Sequence, residues 1–109
     1  MDFATEIEEY ARQLGEKPLV VVIGEFGWGI MEDEQNNPVG DMKNKAMPWD
    51  VMRQFLEYEY DSGYGGPECH AISVYTENYV IFVSQYDGAT GLYSIPRNPI
   101  NHSPIMPGG

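Results

Sequence analysis

Residues 69–96, CHAISVYTENYVIFVSQYDGATGLYSIP, constrain the fold of this chain more than any other stretch. Three segments rich in β-branched and aromatic residues, CHAISVY, YVIFVSQY and LYSIP, follow one another with TEN and DGATG between them. Strand formers broken by short turn signals at this spacing predict an antiparallel three-strand meander. Such a small sheet must bury a face to be stable. One alternating set of Tyr75, Tyr79, Phe82, Tyr86 and Tyr93 is therefore expected to point inward. The rest of the chain has to supply the layer that covers it.

Two segments can do so. Residues 2–14 place Phe3, Ile7, Tyr10 or Ala11, and Leu14 at helical intervals, with Asp2 as N-cap and Gly15 as the stop. PWDVMRQFLEYE sets Trp49, Met52 and Phe55 or Leu56 on one face, opposite Asp50, Arg53 and Glu57. Its proline suits a first helical turn, so it reads as a second helix. Between the helices, PLVVVIG reads as a buried strand. EFGWGIMEDE can return as another strand, with Gly24 to Gly27 as the bend, and Glu32 to Met47 is polar and irregular. The last fourteen residues, PRNPINHSPIMPGG, hold four prolines and can continue neither a helix nor a central strand, so residues 96–109 are expected to form an extended tail. The expected fold is α+β. It is a two-layer sandwich, with two helices packed on a mainly antiparallel sheet of four to five strands that ends in the meander.

At 109 residues the chain fits one domain. Its longest apolar run, Leu19 to Ile23, falls far short of the roughly 20 residues that span a bilayer. The acidic start MDFATEIEEY does not resemble a secretory signal, and a lone cysteine cannot make an internal disulfide. A cytoplasmic location is the expectation. Seventeen acids against six bases give a net charge of -11, which argues against direct nucleic-acid binding and against an anionic membrane. The acids are uneven: residues 18–42 hold Glu25, Glu32, Asp33, Glu34 and Asp41 with no base, and beyond residue 61 the only base is Arg97.

Few residues offer chemistry. Cys69 lies next to His70, but neighbouring side chains of a strand point to opposite faces, and Glu68 opposes the electropositive setting that activates a thiol. A thiol enzyme would need Cys69 with His102 from the tail, and a structural cysteine is the expectation. Three Cys and His residues, scattered, do not make a zinc site. DEQNNPVGD has oxygen side chains at Asp33, Gln35 and Asn37 but Pro38 where a calcium loop needs glycine. VVVIGEFGWG carries GxxGxG rather than GxGxxG, no lysine follows, and Glu25 lies inside it. No metal and no cofactor is expected.

What remains is a combination of aromatics and acids. Phe26 and Trp28 lie beside Glu25, and Tyr58, Tyr60 and Tyr64 beside Glu57, Glu59 and Asp61. Aromatic rings anchor interfaces, and carboxylates around them steer a basic partner into place. The candidate partner-binding residues are Glu25, Trp28, Glu32, Asp33, Glu34, Glu57, Tyr58, Glu59, Tyr60, Asp61 and Tyr64. In size, acidity and lack of a catalytic signature the chain resembles, as a class, toxin-immunity proteins, anti-restriction DNA mimics and anti-CRISPR proteins. That resemblance implies a non-enzymatic inhibitor that blocks a basic nucleic-acid-handling protein, such as a nuclease, by electrostatic and steric occlusion. A second reading is a small-molecule or peptide-binding module built on Gly24 to Gly29 with Trp28, Tyr64 and Arg97. An unpaired edge strand can also support a homodimer.

Overall fold

The computed structural model describes residues 1–27, 38–60, 69–86 and 89–106. Its elements are helix α1 (Phe3–Gln13), strand β1 (Val20–Phe26), strand β2 (Ala46–Pro48), helix α2 (Trp49–Met52) and strands β3 (His70–Tyr75), β4 (Tyr79–Tyr86) and β5 (Ala89–Pro96). The strands form one antiparallel sheet in the order β2-β1-β3-β4-β5, with the helices packed on it, which is the expected α+β architecture.

Helix α1 starts where the sequence puts its cap. The Asp2 carboxylate accepts the Thr5 N–H at 2.7 Å, and this bond holds its pKa below the ordinary value. The helix buries Phe3, Ala4, Ile7 and Ala11 and ends at Gly15, whose φ of 76° suits a residue without a Cβ. The N–H groups of Gly15 and Glu16 close on the Arg12 and Ala11 carbonyls at 2.9 and 3.0 Å. The second helix is shorter than its periodicity predicts, since Trp49–Met52 is α-helical and Arg53–Leu56 tightens into a 3-10 turn. That tightening still brings Met52, Phe55 and Leu56 into the core beside Trp49.

Three expectations about the chain between the helices and strands need correction. The bend expected at Gly24 to Gly27 does not begin at Gly24, because β1 runs on through Gly24 and Glu25 to Phe26 with a register shift between Ile23 and Phe26; the chain bends at Gly27, and the returning strand expected from Trp28 onward lies outside the described residues. The segment to Met47 is not wholly irregular: Gly40–Met42 forms a 3-10 turn and β2 pairs with β1 through Val20–Pro48, Val21–Met47 and Val22–Ala46. In the meander, DGATG is not all connection, since β4 and β5 pair as far as Tyr86–Ala89 and only two residues lie between them. The meander itself is as expected.

Registers across the sheet sort its residues into faces. Met47, Val21, Val74, Ile81 and Ser94 form a row that faces the helices. The rows on either side of it point the opposite way: Ala46, Val22, Ser73, Phe82 and Tyr93, then Pro48, Val20, Tyr75, Val80 and Ile95. Tyr75, Phe82 and Tyr93 thus all belong to the outward set. Aliphatic Val74, Ile81, Val83 and Leu92 contact the helix layer instead.

Candidate functional site

Three of the predicted partner-binding acids lie on the described surface. Glu25 is on β1, while Glu57 and Glu59 follow the 3-10 turn, and all three are exposed. Each has a cation beside it: Lys43 at 3.3 Å from Glu25, Arg53 at 3.4 Å from Glu57 and the N-terminal ammonium at 3.0 Å from Glu59. The last contact raises the ammonium pKa. Surface pairs of this kind contribute about 0–1 kcal/mol, so a partner's arginine or lysine can displace the resident cation.

The rings predicted among these acids divide differently. Tyr58 is a core residue at 6% exposure, and this corrects its reading as an outward anchor. Its hydroxyl accepts the His70 backbone N–H at 2.9 Å and hydrogen-bonds His70 Nδ1 at 2.8 Å. Which partner donates in the second bond depends on which ring nitrogen of His70 carries the proton. Phe26 stands edge-on to His70 with ring centres 5.0 Å apart, and Phe3 stands edge-on to Tyr60 at 5.0 Å. Tyr60 is half-buried and donates to Glu6 Oε1 at 3.0 Å; burial, then the Glu6 carboxylate, push its phenol pKa up. Phe26, Tyr58, Tyr60 and His70 therefore form the floor at one end of the molecule. The Gly27 N–H, bonded to the Cys69 carbonyl at 2.9 Å, ties β1 to the start of β3 there. Trp28, Glu32, Asp33, Glu34, Asp61 and Tyr64 lie outside the described residues.

Comparison with family models, curated proteins and solved structures finds no match for this chain.

The geometry also bears on the other readings. Cys69 is buried at 1% exposure, and desolvation, then Glu6, push its thiol up to about 12. That is the opposite of what a nucleophile needs. His102 lies exposed in the tail. Among the described residues no group of three His, Cys, Asp or Glu could hold a metal ion, and no helix is long and apolar enough to cross a membrane. Of the proposed ligand module, Gly24 lies in strand β1 near Ala71 at the start of β3, and Trp28, Gly29 and Tyr64 lie outside the described residues. Arg97 instead sits over the Tyr75 ring at 5.6 Å and donates to the Thr76 carbonyl at 2.7 Å, at the other end of β3. Depressions in the described surface lie around Glu16, at Gly15, Lys17 and Leu19 and at Leu14, Asn78 and Tyr79, and also at Met1, Glu6 and Tyr10, beside the Glu59 and Tyr60 contacts.

One structural role was missed. Glu8 accepts the Trp49 indole N–H at 2.8 Å and clasps Arg53 through Nε at 3.1 Å and a terminal nitrogen at 3.2 Å, and these bonds raise the Arg53 pKa. The contact joins α1 to α2 and to the 3-10 turn that follows it, across 41 and 45 residues of chain. Helical spacing puts Glu8 on the polar side of α1, and only the placement of α2 makes it a bridge.

Proposed function

We propose that this protein is a non-enzymatic interaction protein that presents an acidic end to a cationic surface of a protein partner and occludes it. The observation that supports this reading is the partition of charge. Strands β3, β4 and β5 contain no Asp, Glu, Lys or Arg, although the chain has 17 acids. The described carboxylates sit on α1, α2, the end of β1 and the connections. Glu25, Glu57 and Glu59 are exposed and adjoin the packed rings of Phe26, Tyr58 and Tyr60 along the chain, so they can meet arginines or lysines without reordering the backbone beneath them. The proposed partner is a basic nucleic-acid-handling protein, because a surface that holds phosphates does so with lysines and arginines that carboxylates can pair with instead.

The test is capture from a lysate on immobilised protein at low and high salt, followed by comparison of charge-reversal variants on the retained partner. Glu57→Lys and Glu59→Lys should each weaken capture, whereas Glu77→Lys, in the β3–β4 turn, should not. Glu8 is unsuitable as a control, because its carboxylate holds Trp49 and Arg53. Equal losses at Glu57, Glu59 and Glu77, or an association indifferent to salt, would overturn the proposal.

A further inference from the structure

The outward face of the sheet is a second surface, chemically unlike the acidic end. Its two bulky rows hold Ala46, Val22, Ser73, Phe82 and Tyr93, and Pro48, Val20, Tyr75, Val80 and Ile95. Not one of these ten residues carries a charge at neutral pH, in a chain of net charge -11. Phe82 and Tyr93 stack across β4 and β5 with ring centres 6.1 Å apart, and Ile95 is 43% exposed. No described helix lies on this side. The sequence, however, is that of strands covered on both faces: VVVI in β1 and YVIFV in β4 are continuous apolar runs, not alternating ones.

We propose that this face is covered by the same face of a second copy of the chain, in a twofold dimer whose sheets stack face to face. Charge selects this occupant. A cationic partner would find nothing to pair with on these rows, and Arg97, which lies over the Tyr75 ring at their margin, already donates to the Thr76 carbonyl at the end of β3. An identical uncharged face is complementary to itself, and stacking two sheets about 10 Å apart places both acidic helix layers outermost, where their mutual repulsion is least. Size agrees. Five strands about 4.8 Å apart and a little under three residue pairs along them give roughly 24 by 20 Å, about 500 Å² per copy. A pair then buries about 1,000 Å², the lower bound of a specific interface, so the dimer should be a weak one, with micromolar dissociation.

Sedimentation equilibrium of the full chain, from about 1 to several hundred micromolar, tests this at about 0.1 M and about 1 M sodium chloride, where the Debye length falls from about 10 to about 3 Å. Dimerisation should strengthen with salt, because screening relieves repulsion between two acidic copies. This is opposite in sign to the salt response of the acidic end, so the two proposals fail separately. Phe82→Asp should weaken the dimer at least about tenfold. Ile95→Lys changes a residue already exposed to solvent and keeps the test valid if the Phe82 variant does not fold. A chain that stays monomeric at high salt and high concentration overturns the proposal. So does a dimer that survives both substitutions, which would instead indicate pairing along the β5 edge.

Discussion

The two faces of this sheet are built from the same strands and are almost equally apolar, yet they do different things. Toward the helices, Val21, Val74 and Ile81 are fully buried under Phe3, Ile7, Met52 and Leu56. Away from them, neighbours in the same strands, Val20, Val22, Tyr75, Val80 and Phe82, are only partly covered. The contrast shows that hydrophobicity alone does not choose which side of a sheet becomes the core. Side-chain shape contributes: compact aliphatics line the middle of the side that the helices approach, with Phe26 and His70 at its end, and the rings of Tyr75, Phe82 and Tyr93 take the side left open.

Adjacent residues of β4 give the sharpest way to break this comparison. Ile81→Asp puts an unpaired carboxylate into the closed face and should cost about 4–5 kcal/mol or more, close to the whole stability of a small domain. Phe82→Asp, one residue along, should cost about 1–2 kcal/mol because the new carboxylate stays in water. Urea unfolding followed by circular dichroism at low protein concentration measures both. Equal destabilisation would mean that the outward face is closed within the monomer, and the distinction between faces would fail.

Hydroxyls sharpen the contrast at a lower energy. Tyr58→Phe removes the acceptor used by the buried His70 N–H and should cost about 1–3 kcal/mol. Tyr93→Phe, on the open face, should change stability by no more than about 0.5 kcal/mol. Matched unfolding curves separate the two. A neutral Tyr58→Phe would mean that water or a rotated side chain satisfies the His70 N–H after substitution.

How much of this was legible in the sequence depends on whether a feature is local. The meander, the Asp2 cap, the Gly15 stop and the buried faces of both helices follow from residues within a few positions of each other. Strand β2 does not, because Ala46–Pro48 is three residues long and becomes a strand only by pairing with Val20–Val22. Tyr58 reads as one of several tyrosines among acids, and its burial depends on His70, twelve residues on, offering both a backbone N–H and a ring nitrogen. For the candidate site, the acids at Glu25, Glu57 and Glu59 were legible as charges, but their cations were not. Lys43 and the N-terminus reach them only through the fold. The open face was half visible, since unbroken apolar runs announce a strand that wants cover without naming the cover.

Helix α1 carries the next effect. Asp2→Ala removes the cap that the Thr5 N–H uses and should cost about 1 kcal/mol, read as a lower urea midpoint with an unchanged slope. A change smaller than about 0.3 kcal/mol would mean that the first turn is held by Phe3, through its ring and its N–H bonded to the Tyr58 carbonyl at 2.7 Å, more than by its cap.

The smallest expected effect lies where the helix layer is tied to the meander. After α1 the chain turns at Gly15, and Glu16 accepts the Thr76 hydroxyl at 2.7 Å, the Asn78 N–H at 2.8 Å and the Asn78 side-chain amide at 3.0 Å. These bonds, the Thr76 hydroxyl foremost, favour the charged carboxylate and lower its pKa from the ordinary 4.5. A carboxylate whose folded pKa is depressed stabilises the fold fully above its unfolded pKa, and that contribution disappears as pH falls through the lower folded value. Wild-type stability should therefore fall more steeply than that of Glu16→Gln as pH drops below about 4.5. The curves should differ most near neutrality and converge in acid. Asp2 is depressed with the same sign, so an Asp2→Asn, Glu16→Gln variant should flatten the acid limb further. Because the variants are compared at each pH, relief of the chain's overall negative repulsion on acidification is common to all of them and largely cancels. Parallel wild-type and Glu16→Gln curves would show that solvent screening leaves this clasp without energetic weight. The helix layer would then be held to the sheet by the inward face alone.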